Sequence, residues 1–246
     1  MSDPDIPIPA TARVKLDRTA LVANWKTLDR MSGRARAGAA VKANAYGLGV
    51  RDVVPLLLAA GCEDFFVANW QEAREIEDLT AGRAAVSVLN GVREADMPFA
   101  RQSPAKPVLN SLEQLHRWQP TGRTDEDGPQ NSDQLDRYRA ALDILPACRT
   151  SLANSAGIAL GEDYHFDVTR PGLALYGGVQ RPELKGTIRQ VAVPQAEIIQ
   201  VRMLDRGDKL GYNAQYIAEQ PHPVGILAMG YADGYLRGFS NRGIFL

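Results

Sequence analysis

The sequence predicts an α/β protein. Residues 11–190 read as an incomplete (β/α)8-type barrel with about six strands legible, and residues 191–246 as the start of a mostly β domain. Three observations predict this. Short apolar stretches alternate with amphipathic stretches of helical period up to about residue 190, the pattern of βα units around a parallel sheet. Lys42, Asn44, Asn90, Asn110, Asn154 and Ser155 recur just after the apolar core of successive strands; in a barrel those strand ends share one face, where active sites gather. From about Gln195 the helical period gives way to alternating, β-rich segments.

The elements follow in order. Ala12 to Leu16 reads as a strand, and Asp17 can cap the helix that LVANWKTL begins. ARAGAAVKA reads as a buried strand with Lys42 at its C-terminal end, and NAYGLG as a loop. Arg51 to Ala60 is helical and Gly61 stops it. DFFVAN is a short strand and WQEAREIEDL an amphipathic helix whose EAREIED face reads as ordinary solvated surface. RAAVSVLNG and KPVLNS are strands; SLEQLHRW is a helix with Ser111 as cap and Gln114 three residues on. PTGRTDEDGPQNSD is polar loop, YRAALDIL helix, RTSLANS strand, and DVTRPGLALYG strand or strand-loop. AEIIQVRML and PVGILAMGY are strands of the β domain, with a turn in RGDKLGYN.

Composition sets limits on partners. The net charge is -1, from 28 basic and 29 acidic side chains, so no long-range attraction to nucleic acid or an anionic membrane follows. Apolar runs are too short to span a bilayer, and the N-terminal stretch lacks the basic start and apolar core of a signal peptide. Two cysteines, Cys62 and Cys148, with no C-x-x-C, suit a reduced, cytoplasmic protein. The three histidines, His116, His165 and His222, have no metal spacing and read as structural.

Lys42 is the residue most open to chemistry. A lysine directly after a buried strand either snorkels, pairs with a carboxylate, or serves as an amine nucleophile of the kind Schiff-base chemistry needs. The motif around it, AVKANAYGLG, does not stand alone. SLANSAG (151–157), DVTRPGLALYG, GYNAQY and GYADGYLRG follow in order. Together the five motifs resemble those of the alanine racemase family, pyridoxal-phosphate enzymes built from a TIM barrel and a β domain. The similarity runs from about Thr11 to Arg242.

The resemblance implies a set of roles. Lys42 would form the internal aldimine with pyridoxal 5'-phosphate. Tyr46 and Ser155 would contact its phosphate, together with the Gly172-Leu173 backbone. Arg170 would face the pyridine nitrogen. An arginine has no proton it can readily give, so the ring nitrogen would stay neutral, which favours racemisation over transamination. Tyr212 would be the second acid–base group, supplied by the partner subunit of a homodimer, and Tyr231 would line the substrate entrance. The reaction would be the racemisation of L-alanine to D-alanine for peptidoglycan. Without the resemblance, Tyr212 would read as a packed aromatic and Arg170 as half of a salt bridge beside Asp167.

Two expectations concern what the chain lacks. Relatives carry further barrel strands where this chain has only PTGRTDEDGP, so an internal deletion is expected near 120–128. Relatives also continue beyond SNRGIFL, so the C-terminal part is expected to be truncated and the chain to have little or no activity. Three other readings are a pyridoxal-phosphate-binding protein without turnover, an enzyme of the same architecture acting on another small amino acid, and a remnant with no ligand. GYNAQY and GYADG weigh against the first, and the absence of any cysteine after Cys148 against a decarboxylase.

Overall fold

The computed structural model describes residues 10–118, 139, 148–211 and 214–235. The chain divides into two compact units, one of residues 16–192 and one of residues 1–15 with 193–246. The expected loop PTGRTDEDGPQNSD and nearly all of the expected helix YRAALDIL lie outside the described residues.

The chain opens with β1 (Ala12–Leu16) and α1 (Arg18–Met31). Asp17 caps α1 through its side chain, which accepts the Ala20 N–H at 2.9 Å. Leu21, Asn24, Trp25 and Leu28 recur at helical spacing and are buried. Next come β2 (Arg36–Ala37) and β3 (Ala39–Ala40), one strand interrupted at Gly38. A Cβ on Gly38 would lie 2.6 Å from both the Asp64 carbonyl and the Phe66 ring, so only glycine lets the neighbouring strand approach this closely.

The segment α2 (Lys42–Tyr46) corrects the expectation of a plain loop. Ala43, Asn44, Ala45 and Tyr46 all have φ between 50° and 56°, which makes this a left-handed turn. α3 (Val50–Ala60) ends at Gly61 in the left-handed conformation, as its sequence predicts. β4 (Asp64–Val67) is buried throughout. The helix expected over WQEAREIEDL breaks at Ile76 into α4 (Trp70–Glu75) and α5 (Glu77–Thr80). β5 (Ala85–Val88), α6 (Met97–Ala100), β6 (Lys106–Pro107) and α7 (Leu112–Trp118) follow. Ser111 Oγ accepts the Gln114 N–H, and Gln114 reaches back to the Asn110 N–H, completing the cap.

β3, β4, β5 and β6 form one parallel sheet in that order. β2 pairs in parallel with β7 (Val168–Thr169). RTSLANS, expected as a strand, is not one. Its residues meet the β7 segment through a single parallel bridge, Asn154 to Arg170, with the Ala153 carbonyl accepting the Arg170 N–H. Among the described residues β7, β2–β3, β4, β5 and β6 thus run side by side in parallel, and their C-terminal ends lie together. The unit is barrel-like, with helices outside and Val41, Phe65, Val67 and Val88 fully buried in its core. Each such side chain contributes about 1.5–3 kcal/mol of burial free energy.

Buried polar groups tie distant parts of this unit together. Asn24 donates to the Leu175 and Arg189 carbonyls and accepts the Arg189 N–H. Ser32 Oγ donates to the Leu28 carbonyl, so Thr169 Oγ1 donates to it at 2.7 Å. His165 is buried between the Ser32 and Ile158 carbonyls. Asp64 is held by a two-pronged contact from Arg149, both bonds 2.9 Å.

In the other unit, β1 pairs with β8 (Ala192–Ala196). β9 (Ile198–Leu204) pairs antiparallel with β12 (His222–Leu227). Between them lie β10 (Lys209–Leu210) and β11 (Tyr216–Ile217), also an antiparallel pair. His222 accepts from or donates to the Tyr216 hydroxyl and meets the Gln220 carbonyl. Among the described residues no helix is long and apolar enough to cross a membrane, and no group of three or more ligands could hold a metal ion.

Two predictions follow from the packing. Asn24→Leu leaves the Arg189 N–H and two carbonyls without partners, so it should destabilise the protein by about 2–4 kcal/mol in urea denaturation. Burial pushes the Cys62 thiol up to about 12, and the thiolate is the reactive form. A disulfide reagent at neutral pH should therefore titrate only the exposed Cys148 in the native protein and both cysteines after unfolding.

Candidate active site

The C-terminal ends of β3 and β7 meet in register. The Ala40 N–H donates to the Pro171 carbonyl and the Val41 N–H to the Phe66 carbonyl. This places Lys42, the residue after the last ladder bond of β3, beside the segment Arg170 to Leu173. Lys42 is half-buried, and its ammonium has no hydrogen-bond or ion-pair partner among the described residues.

The turn that carries Lys42 is held from several sides. The Ala45 N–H donates to the Val41 carbonyl and the Gly47 N–H to Ala43, each at 2.9 Å. Asn44 Oδ1 accepts the Val50 N–H at 2.7 Å. Glu72, from α4, accepts the Ala43 N–H. The sequence reading assigned the face that carries Glu72 to ordinary solvated surface; the structure spends its carboxylate on backbone amides.

Tyr46 leaves the turn toward Tyr176, ring centroids 4.9 Å apart. Tyr176, which sequence reasoning did not single out, is buried and donates to the Ala40 carbonyl at 2.9 Å. Burial holds both phenols above their ordinary range, so both keep their protons at neutral pH and act as donors. A Cβ on Gly172 would lie 2.4 Å from Tyr46 Oη. Only a glycine there lets the Tyr46 hydroxyl lie against the Gly172 backbone.

Ser155 is buried, and its Oγ accepts two backbone N–H groups, Gly172 at 3.0 Å and Ala174 at 3.2 Å. A hydroxyl has two acceptor lone pairs and one proton. With both lone pairs spent, the proton of Ser155 is free to be donated. The Leu173 N–H, at the start of a 3-10 turn, has no partner among the described residues. Two donors, the Ser155 hydroxyl and the Leu173 N–H, are therefore clustered where Tyr46 Oη approaches.

Arg170 donates to the Ser151 carbonyl and hydroxyl, each at 2.6 Å, and to the Leu152 carbonyl at 3.2 Å. Its guanidinium also lies 5.9 Å from the centroid of the Phe66 ring. Asp167, its expected partner in the plainer reading, accepts the N–H and O–H of Thr150. The asparagines Asn110 and Asn154 are spent on backbone groups. Asn154 caps the helix Ser155–Leu160, and Asn110 donates to the Leu89 and Val108 carbonyls.

Tyr231 belongs to the β unit, where it opens an exposed 3-10 turn. Asp233 holds that turn by accepting the Gly230 N–H. Tyr212 lies outside the described residues.

Comparison with known proteins places this arrangement. A model of the alanine racemase N-terminal domain matches residues 16–127 and 121–180, and one of the C-terminal domain matches residues 191–246. The chain belongs to the alanine racemase family. The alanine racemase of Rhodospirillum rubrum is 36% identical over 292 residues, covering 96% of this chain and 77% of the relative. The biosynthetic alanine racemase of Agrobacterium fabrum is 33% identical over 285 residues, covering 96% of this chain and 73% of the relative. Among solved structures, alanine racemase from Bartonella henselae with covalently bound pyridoxal phosphate is similar with a TM-score of 0.80 and 31% identity, over 94% of this chain and 79% of that one. Alanine racemase from Acinetobacter baumannii gives 0.77 and 26%, over 92% and 78%.

The match of residues 191–246 to the family's C-terminal domain corrects the expectation of a truncated β region. The N-terminal model matches in two separate ranges that overlap at residues 121–127. The architecture is that of the family's fold, a (β/α)-barrel-like unit followed by a mostly β one.

The Gly172 contact is testable. Gly172→Ala should push Tyr46 off Tyr176 and destabilise the protein by about 1–3 kcal/mol, the usual cost of overpacking. Urea denaturation followed by tyrosine fluorescence measures it.

Proposed function

We propose that Lys42, Tyr46, Ser155, Arg170, Gly172 and Leu173 hold pyridoxal 5'-phosphate, and that Lys42 and Tyr212 move the α-proton of the substrate. The chain is an alanine racemase, an isomerase that interconverts L- and D-alanine with this cofactor and supplies D-alanine for peptidoglycan. The observation that carries the assignment of residues is the pair of amides that Ser155 Oγ accepts, which leaves its hydroxyl to act as a donor. Its oxygen is saturated by the Gly172 and Ala174 amides, so any further bond it makes is as a donor.

The residues present fit the cofactor. The Ser155 hydroxyl, the Leu173 N–H and the protonated Tyr46 phenol are three neutral donors suited to a phosphate. Gly172 lacks the Cβ that would close the space beside Tyr46 Oη. Lys42 offers an unpaired amine for the aldehyde. When bound, the cofactor supplies an electron sink for the pair left behind as the α-proton departs.

Each side chain then has a defined task. Lys42 Nζ would hold the cofactor and would accept or return the α-proton on one face. The Tyr212 hydroxyl does the same on the other face. Its motif, GYNAQY, supports the assignment. Arg170 is always protonated. It would offer a ring nitrogen a hydrogen bond but no proton, which would favour return of the proton to the α-carbon. Tyr231 lines the entrance and limits the substrate to small amino acids.

A homodimer supplies Tyr212 across its interface in this reading. It is supported by β9, where Ile198, Ile199, Val201 and Met203 are each at least 60% exposed. An apolar strip of that kind marks an interaction surface. The two free cysteines suit a reducing compartment, the cytoplasm.

Purified protein with added pyridoxal phosphate should racemise L-alanine at about 1–10³ per second, followed by loss of optical activity. Lys42→Ala should abolish both turnover and the visible absorbance of the lysine-bound cofactor. Tyr212→Phe should keep the absorbance and lower turnover about 10²–10⁴-fold. Unchanged optical activity with wild-type protein, or a Lys42→Ala variant as active as wild type, overturns the assignment.

A further inference from the structure

We infer that Glu72 is a positioning residue for Lys42. It acts by joining the ends of two barrel strands just beyond the point where their own hydrogen bonds stop. The inference rests on Lys42 as the residue that binds the cofactor.

The ladder between β3 and β4 ends with the Val41 N–H on the Phe66 carbonyl. Past that rung the backbones part. The first chain enters the left-handed turn through Lys42, and the second runs through Ala68 into α4. Glu72 spans the opening. Its Oε2 accepts the Ala68 N–H at 2.7 Å and its Oε1 accepts the Ala43 N–H at 3.1 Å. Its own N–H donates to Asn69 Oδ1, which fixes the start of the helix that carries it.

The anchored amide is the informative part. Ala43 directly follows Lys42 and is the first of the four residues at positive φ. Fixing its N–H fixes the plane of the peptide that joins it to Lys42, and with it the direction in which the lysine leaves the strand. Glu72 makes no ion pair with a cation among the described residues, so its charge is committed to these amides, whose hydrogen bonds a carboxylate strengthens. A carboxylate also suits this place because both its oxygens accept. A glutamine of the same shape has one accepting oxygen and an NH₂ group that can only donate.

This difference supplies the test. Glu72→Gln keeps the volume and loses one of the two bonds. Glu75→Gln makes the same charge change on the same helix at an exposed position that does not touch the turn. In the full chain without added cofactor, hydrogen exchange at the Ala43 amide should be about tenfold faster in Glu72→Gln than in wild type, and unchanged in Glu75→Gln. On addition of pyridoxal phosphate, the Lys42-dependent visible absorbance should develop about tenfold more slowly in Glu72→Gln, with Glu75→Gln like wild type. Wild-type exchange at Ala43 together with wild-type kinetics of absorbance in Glu72→Gln overturns the inference while leaving Lys42 in place. Equal slowing in Glu75→Gln assigns the effect to charge alone and also overturns it. An absorbance that survives Lys42→Ala removes the reading of Lys42, and this inference with it.

Discussion

Four consecutive residues at positive φ, Ala43 to Tyr46, are the constraint on which the site depends. For residues with a Cβ, the left-handed region costs about 1–2 kcal/mol each. The turn persists because its surroundings over-determine it. Backbone bonds close it internally, Asn44 ties its far side to α3, and Glu72 ties its near side to the end of β4. Its last member, Tyr46, packs on Tyr176, which is itself fixed to Ala40 of the strand that launches the turn. The strained segment and the strand end therefore form one closed loop of contacts, with Lys42 at its start.

The opposite wall of the site is built from the same economy of polar groups. Ser155 saturates two amides of the segment after β7, and Gly172 withholds a side chain so that Tyr46 can lie over it. Arg170 is held by the Ser151 and Leu152 carbonyls beside the Phe66 ring. These groups come from β3, β4 and β7 and from the Ser151 to Ser155 segment. Parallel pairing brings them together, because every strand of such a sheet delivers its C-terminus to the same side. Asn24, buried and fully satisfied, does comparable work at the periphery by tying α1 to Leu175 and Arg189.

Much of this was legible in the chain. Asp17, Gly61 and the Ser111–Gln114 pair mark helix ends through bonds that reach at most a few residues, so local sequence reports them. The five ordered motifs identify the family for the same reason: each packs its chemistry into a short, contiguous string. The left-handed turn was less legible. KANAYG contains only one glycine, at the end of the run, and nothing in its composition announces four residues at positive φ. Glu72 was hidden because EAREIED has the look of a solvated helix face, and only the position of Ala43 and Ala68 in space gives its carboxylate a task. The recurring asparagines misled in the other direction. Asn44, Asn110 and Asn154 all bind backbone groups.

The sequence by itself determined the alternation of strands and helices, the start of the β-rich region, the family, and Lys42 as the candidate anchor, because these rest on period, capping and short motifs. Tertiary structure decided which groups surround that lysine. It set Tyr176 beneath Tyr46, freed the proton of Ser155, paired β1 with β8 although the whole barrel-like unit separates them in sequence, and turned Glu72 from a surface charge into a clasp. The physical reason is the range of the interactions. Hydrogen bonds and packing between residues dozens of positions apart leave no periodic trace in either segment, and they come into being only when the strands align.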